Sequence, residues 1–231
     1  MEPKANPGKK LIINIEGRNF ARYSVKTHLI SPKDDIISVV LEYAKPYLKK
    51  GDILFLGEKV VAITQNRVYE LDKIKPGRLA KFLVSFVTKS PYGIGLSIPE
   101  TMQLAVEEAG ALRIMLAAFL AALTKPFGIK GVFYRVAGPQ ARGIDGPVDY
   151  AIPPYNKQAS KIPLHANKVA KTIADSIGFP VVIVDACDIG AWVVGKSKGV
   201  EEKVILAALK DNPLGQTIEQ TPIGILREIK Q

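Results

Sequence analysis

A single cysteine, Cys187, occurs in 231 residues, so the chain cannot close an internal disulfide and is not one of the small secreted scaffolds stapled by them. Histidine is nearly as scarce. His28 and His165 stand far apart, without the ligand spacing that a structural zinc site needs. Long apolar runs are missing too: the longest, "ALRIMLAAFLAAL" at 111–123, is too short to cross a bilayer and carries Arg113. It reads as a buried helix, and no membrane partner is expected. The opening "MEPKANPGKK" precedes no apolar run that ends at a small-residue cleavage site, which argues against a secretory signal and for a cytoplasmic location. No Walker-type phosphate loop is present, and "YGIGLS" at 92–97 lacks the third glycine of a dinucleotide fingerprint. Any nucleotide site has to be assembled from other parts.

Acid is the scarcer charge. Thirty-two basic residues against 22 acidic give +10, which favours an anionic partner. The cations are scattered, without a run or an aromatic-basic alternation, so a nucleotide or small polyanion is favoured over nucleic acid. With 47% of residues hydrophobic, there is material for one compact unit spanning 1–231, or for two interlocked lobes sharing a core.

The pattern of elements predicts an α+β fold of mixed or antiparallel sheets with flanking helices. "KKLIINIEGRNFARYSVKTHLI" reads as a strand, a turn at Glu16-Gly17 and a second extended piece reaching Ile30. In "SPKDDIISVVLEYAKPYLKKG", Ser31 is the expected helix cap, Pro32 fits the first turn, and Asp34 and Asp35 oppose the helix dipole. "DILFLG" and "KVVAITQNRVYEL" read as strands paired across Gly57-Glu58, and "GVFYRVAG" as another strand. Helices are expected over "KPGRLAKFLVSFV", "SIPETMQLAVEEAG", the run from Ala111, "LHANKVAKTIADSIG" closed by Gly178, and "VEEKVILAALK". The Pro- and Gly-rich "PQARGIDGPVDYAIPPYNKQASKIP" is a long loop, or a loop around a short strand, of the kind that carries function.

Oxygen-bearing side chains carry the chemical signal. "FPVVIVDACDIGAWVVG" drives a β-branched strand inward and ends it on Asp185, with Asp188 in the turn beyond. Both acids belong at the C-terminal edge of the strand, where ligands collect; the plainer alternative is that they accept hydrogen bonds from turn amides. Asp188 is read either as a turn cap or as a metal ligand. Cys187 has no histidine near it in sequence and reads as a small packing residue. "RGIDGP" places Asp145 in a glycine-flanked turn where backbone can approach a ligand. "PLGQTIEQTP" adds Gln216 and Glu219 between Gly215 and Pro222. Three loops bearing oxygen ligands, without an imidazole or thiolate cluster, suit a hard divalent ion such as Mg2+ or Mn2+.

Taken in order, "KTHLISPKDDIISVVLEYAKPYLKKGDILFLGEKVVAITQNRV", "RGIDGP", "VVIVDACDIG" and "GQTIEQTPIGILR" resemble blocks of the coenzyme F-420 gamma-glutamyl ligase family. The resemblance runs from about Lys26 onward and skips the helical stretch 75–124. It implies an intertwined homodimer and a GTP- and metal-dependent enzyme that attaches glutamate to a small carboxylate substrate, the deazaflavin coenzyme precursor. Carried over by matched position, Asp145 and Asp185 would be catalytic metal ligands and Gln216 would sit at the metal. Gly215 and Glu219 would lie beside the nucleotide, which Thr27, His28, Leu29, Ile30, Glu58 and Lys59 would line. Lys26, Arg22, Arg67 or Lys59 would balance the remaining phosphate charge.

Some positions depart from the family's pattern. Where it carries Ser or Thr and then a Ser-Lys pair, this chain has Glu58 and Lys59, then Ala62 and Ile63; Val148 stands for a usual asparagine, and Ala186 for a threonine. The competing readings are therefore a ligase, a non-catalytic nucleotide- or metal-binding relative, and, from charge alone, a basic nucleic-acid-binding protein.

Overall fold

Glu16 and Gly17 both take positive φ, 50° and 82°, the backbone that a tight two-residue hairpin requires. They join β1 (Ile12–Ile15) to β2 (Arg18–Val25), which pair antiparallel with Ile15 opposite Arg18. The computed structural model describes residues 3–87, 94–187 and 190–229. Tyr92 and Gly93 of "YGIGLS", and Asp188 with its two alternative roles, lie outside the described residues.

The chain divides into two compact units, Met1–Asn66 with Pro163–Gln231, and Arg67–Ile162. The first is built on a six-stranded sheet. After β2 come α1 (Ile36–Tyr43), β3 (Ile53–Gly57) and α2 (Glu58–Thr64). The second unit holds β4 (Val68–Glu70), α3 (Arg78–Val84), α4 (Pro99–Ala109), α5 (Ala111–Thr124), α6 (Val132–Ala137), α7 (Pro139–Arg142) and β5 (Gln158–Ser160). The chain then returns to the first unit with α8 (Ala166–Ile177), β6 (Val181–Cys187), β7 (Gly190–Lys196), α9 (Glu202–Leu209) and β8 (Ile223–Ile229).

Strand order in the large sheet is β1-β2-β8-β3-β6-β7. Only β3 and β6 run parallel; every other pair is antiparallel. The fold is thus α+β with a mixed sheet and flanking helices. Alternation along the strands sends Phe55, Val182, Val184 and Leu226 into a core completed by Val204, Ile205, Ala208 and Leu209 of α9. The opposite face is covered by α8, which packs on β6 and β7. A Cβ at Gly195 of β7 would fall 2.4 Å from the Ala166 backbone, so only glycine lets the first turn of α8 lie so close. Across the sheet, a Cβ at Gly224 would fall 2.1 Å from the ring of Phe55, its cross-strand partner. The bare backbone there is the seat of that ring.

Among the described residues of this unit, two ion pairs each have one side chain almost fully buried. Asp52, fully buried, accepts from Arg227 Nε (2.8 Å) and Nη2 (2.7 Å) and from the Lys49 amide. Arg22, 2% exposed, donates to the Asp211 carboxylate and to the carbonyls of Lys10 and Ala208.

The second unit is mostly helical. Its core gathers Leu83, Leu96, Met102, Leu104, Ile114, Ala117, Ala137 and Ile144, and β4 pairs with β5 beside it. Arg67 donates to the Ile162 carbonyl (2.7 Å) and pairs with Glu108, while Lys161 pairs with Glu107 at 3.0 Å.

Several sequence expectations are corrected. "KVVAIT" is helix α2, not a strand paired with β3. Its residues 60–63 are all buried and the helix packs on β3 and β6; a continuous apolar run carries no period that separates helix from strand. "GVFYRVAG" is also a helix, α6, bracketed by Gly131 and Gly138 at positive φ. Phe133, Val136 and Ala137 face the core at helical spacing. The cap of α1 is Asp35, which accepts from Ser38 N, whereas Ser31 donates to Asp34. The second extended piece stops at Val25 instead of reaching Ile30. Finally, α5 is not a buried helix: of its large side chains only Ile114 is fully covered, and Leu112, Met115, Leu116, Phe119 and Leu123 are exposed.

Candidate active site at one end of the six-stranded sheet

Parallel neighbours end at the same edge of a sheet, and β3 and β6 do so with Gly57 level with Val184. The residue after each partner of that last pair is an acid, Glu58 at the start of α2 and Asp185 within β6. Glu58 is buried at the start of α2; Asp185 is half-buried and lies opposite Trp192 of β7. Because β8 runs antiparallel to β3, its start arrives at this same edge, where the Gly57 amide donates to the Pro222 carbonyl at 3.0 Å. β2 finishes there as well, with Val25 opposite Ile223 and the Thr27 amide donating to the Gln220 carbonyl at 3.0 Å. Four distant stretches of chain therefore meet at one end of this unit: 26–30, 57–59, 185–187 and 215–222.

The 215–222 loop is held from several sides. Gly215 has φ of 78°, and a Cβ there would sit 2.7 Å from the carboxyl carbon of Glu219. The Glu219 carboxylate accepts from the Thr217 amide and hydroxyl, both at 2.8 Å. Asn6 Nδ2 donates to the carbonyls of Pro213 (3.0 Å) and Leu214 (2.8 Å) and to Thr221 Oγ1 (2.7 Å). Thr221 Oγ1 in turn donates to the Leu214 carbonyl, and Ser24 Oγ donates to that of Pro213. Gln216 is half-buried in this loop. Asn6, Ser24 and Thr221 are positioning residues that sequence reasoning missed. Each is a small polar residue with no neighbouring motif, and what selects it is a carbonyl more than 180 positions away, or in Thr221's case seven.

The 27–30 segment is equally fixed. Thr27, buried, donates its hydroxyl to the His28 carbonyl at 2.7 Å. His28 Nε2 meets Asp34 Oδ1 at 3.1 Å and Nδ1 meets the Tyr43 hydroxyl at 3.0 Å. Asp34 Oδ2 accepts from the Ser31 amide (2.7 Å) and hydroxyl (2.8 Å). Donation from the Ser31 amide, then from its hydroxyl, with His28 adding to both, holds the Asp34 carboxyl below its ordinary range. A carboxylate that only accepts places an imidazole proton on Nε2. Leu29 is exposed and Ile30 buried.

The cations separate into committed and uncommitted. Arg22 and Arg67, named as phosphate partners from sequence, are tied to Asp211 and Glu108; neither is available to a ligand without breaking a structural pair. Lys59 is half-buried and Lys26 exposed, and neither makes an ion pair with a described residue.

Asp145 belongs to the second unit. It does not sit in an open glycine turn: it exchanges two backbone hydrogen bonds, both 3.0 Å, with Ser160. The flanking glycines serve the protein's own packing, since a Cβ at Gly143 would press on Ile162 and one at Gly146 on Ile94. Its carboxylate makes no hydrogen bond or ion pair with a described residue. Asp185 and Gln216 are thus in one unit and Asp145 in the other. Among the described residues, no three His, Cys, Asp or Glu side chains group as a metal site. The donors at the sheet end, two carboxylates and an amide, are hard oxygen ligands of the type that Mg2+ or Mn2+ takes. An open groove of about 490 Å3 elsewhere in the first unit, lined by Ile36, Leu164, His165 and Lys168, contains none of the candidate residues.

A family model described as F420-0:Gamma-glutamyl ligase matches residues 24–200. No curated protein matches the chain significantly. The matched span takes in segments 26–30 and 57–59, Asp145 and Asp185, and stops short of the 215–222 loop. With three quarters of its length under that match, the chain belongs to the F420-0:gamma-glutamyl ligase family.

Proposed function

We propose that this protein is a GTP- and divalent-metal-dependent acid–amine ligase that joins glutamate to a small carboxylate; membership of a gamma-glutamyl ligase family supports the ligase part of this reading. The observation that carries this reading is the meeting of Thr27, Glu58, Lys59, Asp185 and the Gln216 loop at one end of a single sheet. In the first half-reaction a substrate carboxylate oxygen bonds to the γ-phosphorus while the bond to the bridging oxygen breaks and GDP leaves. The product is an acyl phosphate. In the second, the glutamate amine bonds to the acyl carbon, phosphate leaves, and the amine gives up a proton.

Each residue has a part. Asp185 and Gln216, with Glu58 beside them, supply oxygen ligands, and a hard dication held there would offset the charge that gathers on the phosphoryl oxygens. Lys59 and Lys26 face phosphate. Residues 27–30, kept in place through His28, line the nucleotide, as Gly215 and Glu219 do from the other side. Asp145 joins the reading through the family resemblance alone, and Asp145→Asn tests it separately. The acting species is a homodimer, which light scattering checks.

Purified protein given GTP, Mn2+, glutamate and a panel of acceptor acids should release phosphate only when both acid and amine are present. No release with any nucleotide defeats the reading. Asp185→Asn should lower turnover by about a hundredfold or more, the scale on which losing one preorganised electrostatic partner is felt, with circular dichroism unchanged.

A second reading, a relative that binds but does not catalyse, draws on Ile63. It is buried in α2 at a position where the family offers a lysine. Nucleotide that raises the melting temperature by mass action, without any turnover, favours this alternative.

A further inference from the structure

In α5 the usual arrangement of sizes is reversed. The small residues Ala117 and Ala118, with Ile114, face the core of the second unit. Leu112, Met115, Leu116, Phe119 and Leu123 form a stripe on the opposite side, with Leu112 80% and Phe119 60% exposed. A helix that is apolar all round is one whose outer face is also covered. The stripe continues past the helix end to Phe127, 80% exposed, and Ile129, which flank Gly128 at φ 72°.

The charge around this stripe has one sign. Between Ala109 and Ile144 the sequence holds Arg113, Lys125, Lys130, Arg135 and Arg142 and no acid. Lys125 and Lys130, both exposed, bracket Phe127 and Ile129 directly. Arg113 is held by the Val136 carbonyl at 2.8 Å. The nearest preceding acids, Glu107 and Glu108, are already paired with Lys161 and Arg67.

We infer that this face docks on an anionic lipid surface, with the α5 stripe and Phe127 entering the headgroup region and Lys125 and Lys130 meeting lipid phosphates. An apolar face whose flanking sequence brings cations and no acid is the composition that such a surface selects. A second copy of the chain is disfavoured as the occupant, because a two-fold interface would set these lysines and arginines against their own counterparts. The helix lies on the bilayer and does not cross it: 14 residues rise about 21 Å, short of the ~30 Å hydrocarbon core. No helix among the described residues is long and apolar enough to cross.

The test is flotation of the full chain with vesicles of phosphatidylcholine, either alone or mixed equally with phosphatidylglycerol, at low and high salt. The inference expects partition onto the anionic vesicles at least about tenfold stronger than onto the neutral ones, weakened by salt and abolished in the double variant Leu116→Glu, Phe119→Glu. Both side chains point outward, so the variant keeps its circular dichroism and melting temperature. Absence of binding to anionic vesicles at low salt overturns the inference, as does binding equal for both vesicle types or binding that survives the double variant. A dimer that the double variant splits, in protein that ignores vesicles, assigns the face to a second copy instead and equally overturns it.

Discussion

The two units solve opposite problems with the same alphabet. In the first, charge is turned inward: Asp52 with Arg227 and Arg22 with Asp211 are tied down around a sheet whose inner strands β3 and β6 hide Leu54, Phe55, Leu56 and Val181 to Val184. In the second, apolar bulk is turned outward along α5 while alanines fill the core contact. The first arrangement fixes strand ends against one another and so positions a site. The second leaves a surface. The difference teaches that burial in this chain follows what each unit has to hold in place, since hydropathy alone ranks α5 among the most buried segments.

The contrast can be broken most forcefully at Arg227. Arg227→Ala leaves the fully buried Asp52 without its counter-ion, and the loss of one partner of such a pair costs about 3–5 kcal/mol. Urea unfolding followed by circular dichroism should show it, with hydrogen exchange accelerated first in β3 and β8. A smaller effect is expected at Gly224→Ala, whose new methyl meets the Phe55 ring; overpacking of this kind costs about 1–3 kcal/mol, read from the same curves. Smaller again is the acid dependence of the 27–34 segment. The folded Asp34 carboxyl titrates below its ordinary value, so its contribution to stability is complete above that ordinary value and is lost as pH falls through the folded one. Its carboxyl resonance should move at lower pH than in an unfolded peptide, and Ser31→Ala should shift the titration upward. At the bottom of the scale, Phe119→Glu should change stability by no more than about 0.5 kcal/mol. A large loss there would mean that the outward stripe is a core after all.

Much of the first unit was legible because its signals are local or periodic. The Glu16-Gly17 hairpin and α8 with Gly178 beyond it emerge as read, and "VVIVD" is a strand, although β6 runs two residues past Asp185, to Cys187, instead of ending on it. What sequence could not resolve is where the period is silent. Residues 60–63 are all buried, so the apolar run reads equally as strand or helix, and residues 132–137 form a helix bracketed by glycines at positive φ. The site was legible by residue type but not by grouping. That Glu58 and Asp185 both follow the last pair of the β3–β6 ladder comes from a parallel pairing across more than 120 positions, and no local pattern encodes it. Arg22 and Arg67 misled for a related reason, since the acids that claim them, Asp211 and Glu108, are 189 and 41 residues away.

The place of β8 has a consequence for how the protein is made. This strand follows the other five of its sheet in sequence, yet it lies between β2 and β3, near the middle of that sheet. Until residues 223–229 emerge, the β1–β2 hairpin has no neighbour on that side, and β3 exposes an unpaired edge. The inserted unit is encoded without interruption and can settle while its host waits. A nascent chain stalled just before Ile223 should therefore present a finished 67–162 region to a protease and an unfinished, readily cleaved remainder.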